Sequence, residues 1–329
     1  MSRRSSVRRA ALALLLLLSA CSARSKPEPL PPLEKITRLP VQVPQRGELP
    51  PVVGHVQHYR IAPKDTLLDV ARNAGLGFNE VKDANREVDE WIPPAGKDVV
   101  VPTRWILPRT RQRGVVVNVP EMRMYLFPSK VRPGESVMMR TWAIAIGENE
   151  TPSPVGTFSI TSKDKNPTWY VPDSIYQTMD KRRRRRVVPP GPDNPMGEYR
   201  IRLSKGLYSI HGTDTPWAIG RQTTHGCIRL YPEDIGEFYS IASPSMSGEM
   251  VYEPIKFGEA GGRIFVEVHD DVYRRFRSLE VEGFRLARAQ GILKQVDDVR
   301  LLEAVRDRRG VPVDVTRGAL PAVLTQREP

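Results

Sequence analysis

The residues with the clearest chemical potential lie in two short stretches, "SIHGT" (Ser209–Thr213) and "TTHGCIRLYPEDI" (Thr223–Ile235). Together they hold two of the five histidines, His211 and His225, and one of the two cysteines, Cys227. A free thiol has a pKa of about 8.5 and is mostly protonated at neutral pH, so a nucleophilic cysteine needs a base or a positive neighbour. A histidine can supply the base, taking the thiol proton and later returning it to a leaving group. Gly226 before the cysteine permits a tight turn and close approach of backbone to substrate. The N–H groups of Gly226 and Cys227 can then face a developing oxyanion. Arg229 lies two residues on, on the same side as Cys227 if the segment is extended. There it can favour the thiolate or hold a substrate carboxylate.

Other chemistries fit the residue types less well. His211, His225 and Cys227 could ligate zinc, yet no CxxC, HExxH or fourth clustered ligand accompanies them. Papain-type peptidases place cysteine before histidine and at a helix start, the reverse of the order here. Sortases combine His, Cys and Arg on a β-fold but lack this HGT…THGCIR arrangement. A lone buried cysteine in a core is the remaining reading for Cys227.

Stepping outward, the elements around both stretches read as β. "GVVVNVPEMRMYLF" alternates about a turn at Pro120–Glu121, and "SVMMRTWAIAIG", "GTFSI", "YRIRLSKGLYSIHGT" and "RIFVEVH" continue the strands. His211 ends an apolar strand, which should bring its ring out at a strand edge. "PEDIGEFYSIA" reads as a helix with Pro232 in its first turn. The expected fold is a mainly β catalytic domain, a sandwich or partly closed barrel, over residues 113–268. After His269 the pattern is amphipathic and charged, giving a helical extension over 269–329. The run Lys181–Arg186 reads as a solvated loop between strands or a contact for polyanionic envelope polymers.

At the N-terminal side of this domain, "HYRI" reads as a strand. A helix follows, capped by Asp65 or Thr66 and ended by Gly75, then "FNEVKDAN" as a second helix and "DVVVP" as a closing strand. This strand–helix–helix–strand order, over residues 55–104, resembles LysM domains, which implies a small α+β module binding N-acetylglucosamine-containing glycans. A spacer that binds no sugar is the plainer reading.

The combination "IHGT" then "THGCIRLYPEDI" resembles the signature of L,D-transpeptidases of the YkuD family. The flanks "AIAIGENETPSPVGTFSI", "NPTWYVPDSI" and "VVPPGPDNPMGEYRIRL" are similar to its ErfK/YbiS-like branch. The resemblance implies a cysteine enzyme acting on peptidoglycan tetrapeptide stems without a cofactor or metal. Carried over, Cys227 is the nucleophile, His211 the base and the Gly212 carbonyl its orienter. His225, Gly226 and Cys227 frame the oxyanion hole, and Thr224, Arg229, Trp169 and Trp217 serve the substrate. The acceptor is a second stem, giving a 3–3 cross-link, or the lysine of an envelope lipoprotein. Hydrolysis at the same site and non-catalytic tethering to peptidoglycan are the alternatives.

The chain's start places this chemistry outside the cell. Arg3, Arg4, Arg8 and Arg9, then "ALALLLLL" and "LSAC", read as a lipoprotein-type signal over residues 1–20, with Cys21 as the lipidated residue. The following Ser22 favours the outer membrane, with the folded part facing the periplasm. Removing the signal takes four arginines and lowers the formal charge from +12 to +8. That charge suits an anionic envelope, and no nucleic-acid-binding motif accompanies it. With Cys21 lipidated, Cys227 has no disulfide partner in the chain. Residues 21–54, dense in proline, read as a semi-extended tether.

Overall fold

Nine strands make the main sheet, in the order Arg38–Gln42, Ser136–Ala143, Arg123–Phe127, Gly114–Asn118, Ser247–Val251, Gly156–Lys165, Tyr199–Leu203, Ser209–His211 and Ile228–Arg229. The structure, a computed structural model, describes residues 30–181 and 184–319. The expected signal segment and its lipidation candidate Cys21 therefore lie outside the described residues. No helix among those described is long and apolar enough to cross a membrane.

Local sequence explains the main pairings. The hairpin around Pro120–Glu121 forms as expected, with Gly114 opposite Phe127 and Asn118 opposite Arg123. Every residue of Arg123–Phe127 is buried, because both faces of that strand are covered. Met124 and Leu126 point into one core; Tyr125 and Phe127 point into another. The sheet curls back on itself: Arg229 of the last strand exchanges two hydrogen bonds with Ala145, at 2.9 and 3.1 Å. The helix Pro232–Ile241 fills the concavity with Ile235 and Phe238, the latter ring 5.5 Å from that of Trp142. The mixed α/β architecture thus centres on a curled half-barrel.

The strand–helix–helix–strand unit is present as Gln57–Arg60, Leu67–Ala74, Phe78–Ala84 and Asp98–Val101, with the two strands antiparallel. Thr66 caps the first helix in a reciprocal box with Asp69, and Gly75 ends it at φ 75°. This unit is clamped to the sheet by a buried ion pair. Both nitrogens of a fork on Arg123 donate to Glu80, at 2.8 and 2.7 Å, and the guanidinium lies 4.5 Å over the Trp105 ring. Leaving either charge alone there would be costly, since a buried ion needs its partner.

Two expectations are corrected. Residues 31–54 are not a free tether. Arg38–Gln42 pairs antiparallel with Ser136–Ala143, and Val52–Gly54 with Arg104–Ile106. Leu39 and Val41 are buried while Arg38, Pro40 and Gln42 are not, a period-two pattern that makes an edge strand. Pro40 is tolerable at that edge. The second correction concerns the end of the catalytic sheet. Ile255–Ala260 and Arg263–Val268 pair with each other and with Val313–Asp314, not with the nine-stranded sheet. They join helices Leu279–Ala289 and Asp298–Asp307 in a core of their own. From Pro31 the described parts make one compact unit.

Candidate active site

Two short parallel strands set the site. Ile210 pairs with Ile228 and His211 with Arg229, so Ser209 lies level with Cys227. Directly paired residues of neighbouring strands point to one face, and alternate residues share it. Ile210 and Ile228 therefore enter the core, fully buried, while Ser209, His211, Cys227 and Arg229 share the opposite face. The Ser209 hydroxyl lies 3.6 Å from the Cys227 sulfur. His211 is diagonal to that thiol and beside the Arg229 guanidinium.

His211 is 3% exposed, so its ring does not emerge at a strand edge as expected. The backbone of the 194–197 turn packs tightly on the residue that follows His211: a Cβ on Gly197 would lie 2.9 Å from the Gly212 Cα. Asn194 braces that turn, its amide donating to the carbonyls of Pro167 (2.8 Å) and Pro189 (3.1 Å) while its oxygen accepts from the Met196 N–H. A cavity of about 270 Å³ adjoins this turn, lined by residues including Asn166, Asn194, Glu198 and Thr213.

The His211 Nδ1–H donates to the Gly212 carbonyl at 2.7 Å, which fixes the tautomer and leaves Nε2 with its lone pair. Burial, and then the neighbouring Arg229 charge, push the imidazole pKa down to about 3, against an upward pull from the carbonyls of Gly212 and Met196. The resting imidazole is neutral at physiological pH. Arg229 is half-buried, and burial lowers its pKa against the pull of Asp214, Cys227 and Glu148. Its Nε is buried without a hydrogen-bond partner among the described residues. Such a donor is costly to bury unless something completes it.

Thr224 organises the turn before the thiol. Its buried hydroxyl accepts from the Gly226 N–H at 3.1 Å and donates to the Cys227 carbonyl at 2.6 Å. This corrects one expectation: the Gly226 N–H is taken and does not face an oxyanion. Among the described residues no turn or side-chain acceptor takes the N–H of His225 or Cys227. Gly226 itself has φ 93°, and a Cβ there would meet Tyr208 at 2.4 Å.

His225 is exposed at the tip of the turn. Its ring does not join His211 and Cys227 as a metal-ligand group; the candidate ligand cluster among the described residues is Glu121, Glu267 and His269 elsewhere. Trp169 is half-buried in Trp169–Tyr170, which pairs with Val187–Val188, and Trp217 is 60% exposed in the turn Pro216–Ala218. Among the described residues neither indole shares a hydrogen bond or ring contact with His211, Cys227 or Arg229. At the basic run, Arg184 and Arg186 lie over the Tyr176 ring, at 5.4 and 3.7 Å. Sequence reasoning missed Ser209, Asn194, Ser153 and Tyr273. Only Asn194, in the turn-forming "PDNPMG", carried a local signal.

The family model for the L,D-transpeptidase catalytic domain, YkuD, matches residues 112–254. The "Probable L,D-transpeptidase YcfS" of Escherichia coli is 32% identical over 264 residues, spanning 77% of this chain and 81% of that protein. The chain belongs to the L,D-transpeptidase family. Membership makes it an enzyme of the cysteine transpeptidase class. The "Probable L,D-transpeptidase ErfK/SrfK" of Salmonella typhimurium is also 32% identical, over 77% of this chain and 83% of that one. Among solved structures, L,D-transpeptidase 3 from Mycobacterium tuberculosis is 17% identical with a TM-score of 0.32, over 68% of this chain and 96% of that one. That likeness is too distant to transfer structural detail. The family match stops at residue 254, short of the expected 268 and close to the last strand of the curled sheet.

Proposed function

We propose that this L,D-transpeptidase acylates Cys227 with the tetrapeptide stem of peptidoglycan and passes the acyl group to an amine. The reading rests on one observation: Cys227, His211 and Arg229 share a face of one parallel strand pair, with His211 Nδ1–H committed to a carbonyl. His211 Nε2 takes the thiol proton as sulfur attacks the carbonyl between the L-centre of diaminopimelate and the terminal D-alanine. The C–N bond breaks, the proton passes to the leaving D-alanine amine, and a thioester remains. The acceptor amine attacks that thioester, its proton goes to His211, and the thiol returns with it. The Cys227 N–H, beside that of His225, stabilises the oxyanion in both halves. Arg229 offers the charge of its half-buried guanidinium to a substrate carboxylate, and Thr224 holds the turn. Trp169 and Trp217 supply apolar surface for the stem.

The acceptor is a second stem or an envelope lipoprotein lysine. The strand–helix–helix–strand unit, as a LysM-like module, holds the glycan, and lipid on Cys21 holds the chain at the bacterial envelope membrane. In domain terms, residues 112–254 carry the chemistry, and the segments before and after support it.

Incubating the full chain with disaccharide-tetrapeptide and reading products by mass spectrometry tests this. D-alanine release with dimer formation is expected, whereas D-alanine release leaving only tripeptide assigns hydrolysis. Cys227→Ala should lower turnover by roughly 10³-fold or more, as loss of a covalent nucleophile does. Unchanged turnover in that variant would overturn the reading.

A further inference from the structure

A hydrogen-bonded relay reaches the Cys227 turn from outside the family domain. The Tyr273 hydroxyl donates to the Gly147 carbonyl at 2.8 Å and accepts from the Ser153 N–H at 3.0 Å. The Ser153 hydroxyl accepts from the Gly147 N–H at 2.9 Å and donates to the Gly226 carbonyl at 3.1 Å. Ser153 is fully buried. Gly147 lies so close that a Cβ on it would stand 2.9 Å from the Gly226 Cα and 2.2 Å from the Thr151 oxygen. The far end is anchored as well. The Tyr273 N–H donates to the Tyr252 hydroxyl at 2.7 Å, which donates to Asp271 at 2.6 Å, and the two tyrosine rings stack at 5.8 Å.

The consequence follows from peptide planarity. Gly226 C=O and Cys227 N–H belong to one trans peptide unit and point in opposite directions. Holding the carbonyl therefore aims the N–H. We propose that Tyr273, acting through Ser153, is a positioning residue that orients the Cys227 N–H for the oxyanion formed in acyl transfer. The proposal rests on Cys227 being the nucleophile. It gives the segment beyond residue 254 a part in the chemistry, since Tyr273 comes from there while its targets, Gly147 and Gly226, lie within the matched domain.

Two reactions of the same thiol separate this role from simple support. Opening of a carbapenem ring passes through a tetrahedral oxyanion; alkylation by iodoacetamide is a direct displacement and needs no oxyanion donor. Tyr273→Phe keeps the ring against Tyr252 and removes only the hydroxyl. In the full chain it should slow carbapenem acylation roughly 10- to 100-fold, part of the effect of losing an oxyanion donor. Alkylation of Cys227 should stay within about twofold. Ser153→Ala reports independently from the other end, and the double variant should be no slower than Ser153→Ala alone, because the two hydroxyls act in series. Acylation unchanged in either folded variant overturns the proposal. So does equal loss of acylation and alkylation, or loss of both with the fold, because each assigns the relay to stability alone. Failure of the underlying reading looks different: carbapenem mass would then be absent from Cys227 in the unmodified protein.

Discussion

At the residue scale, the chain offers two histidines near Cys227, and strand register sets them apart. His225 is the neighbour of Cys227 in the chain, but it is exposed, while His211 is brought alongside by a parallel pairing that no local pattern encodes. Arg229 has two opposed effects on the pair. Its charge disfavours the imidazolium next to it, and the same charge stabilises negative charge on sulfur or substrate. The resting His211 imidazole is therefore neutral. His211 should show no titration step near 6.5 when its ring resonances are followed by NMR, and should protonate only toward the lower value of about 3. Because the folded pKa lies below the unfolded one, the unfolded chain binds the proton first. This group's stability contribution is complete above 6.5 and is lost as pH falls from there toward 3. Arg229→Met should raise the His211 pKa measurably. An unmoved titration would show that burial alone sets it.

At the element scale, what could be read locally was read correctly, and what depended on distant pairing was not. The helix at Leu67–Ala74 announces itself through Thr66, Asp69 and Gly75, and the helix at Pro232–Ile241 through its proline. Arg38–Gln42 was hidden because prolines around it mask a short alternation, and its partner Ser136–Ala143 lies far along the chain. The resemblance implies roles for Cys227, His211 and Gly212. It did not reveal that Thr224 consumes the Gly226 N–H, since that depends on the turn's fold. Gly226 tolerates a side chain poorly. Gly226→Ala demands a left-handed conformation, costing roughly 1–2 kcal/mol, and drives a methyl into Tyr208. We expect a lower thermal midpoint and at least tenfold slower carbapenem acylation. Adding Tyr208→Ala should recover part of the stability by removing the clash, while the φ cost persists. Full recovery of the melting temperature in the double variant would show that the clash was the whole cost.

At the scale of the whole molecule, charges buried between the cores hold the parts in register. Lys256 lies on the C-terminal sheet, 2.7 Å from Glu121 of the main hairpin and 3.0 Å from Glu267, and all three are fully buried. The Tyr125 hydroxyl and the Asn118 amide also donate to Glu121. His269 donates to Glu267 at 2.7 Å, and the Ile106 N–H completes that carboxylate. The ammonium occupies the space between the two acids, so this cluster reads as a structural fastener. Although burial raises the Glu267 pKa, the Lys256 charge, His269 and the Ile106 N–H hold it below the usual 4.5. A depressed carboxylate stabilises fully above its unfolded value and loses that contribution as pH falls through its folded value. Lys256→Met leaves two buried carboxylates sharing one imidazole and should cost about 3–5 kcal/mol at neutral pH, read from urea denaturation. The gap between variant and parent should narrow as pH is lowered below 4.5, because protonating Glu267 removes charge that Lys256 balances. A gap constant across that range would mean that Lys256 contributes packing rather than charge.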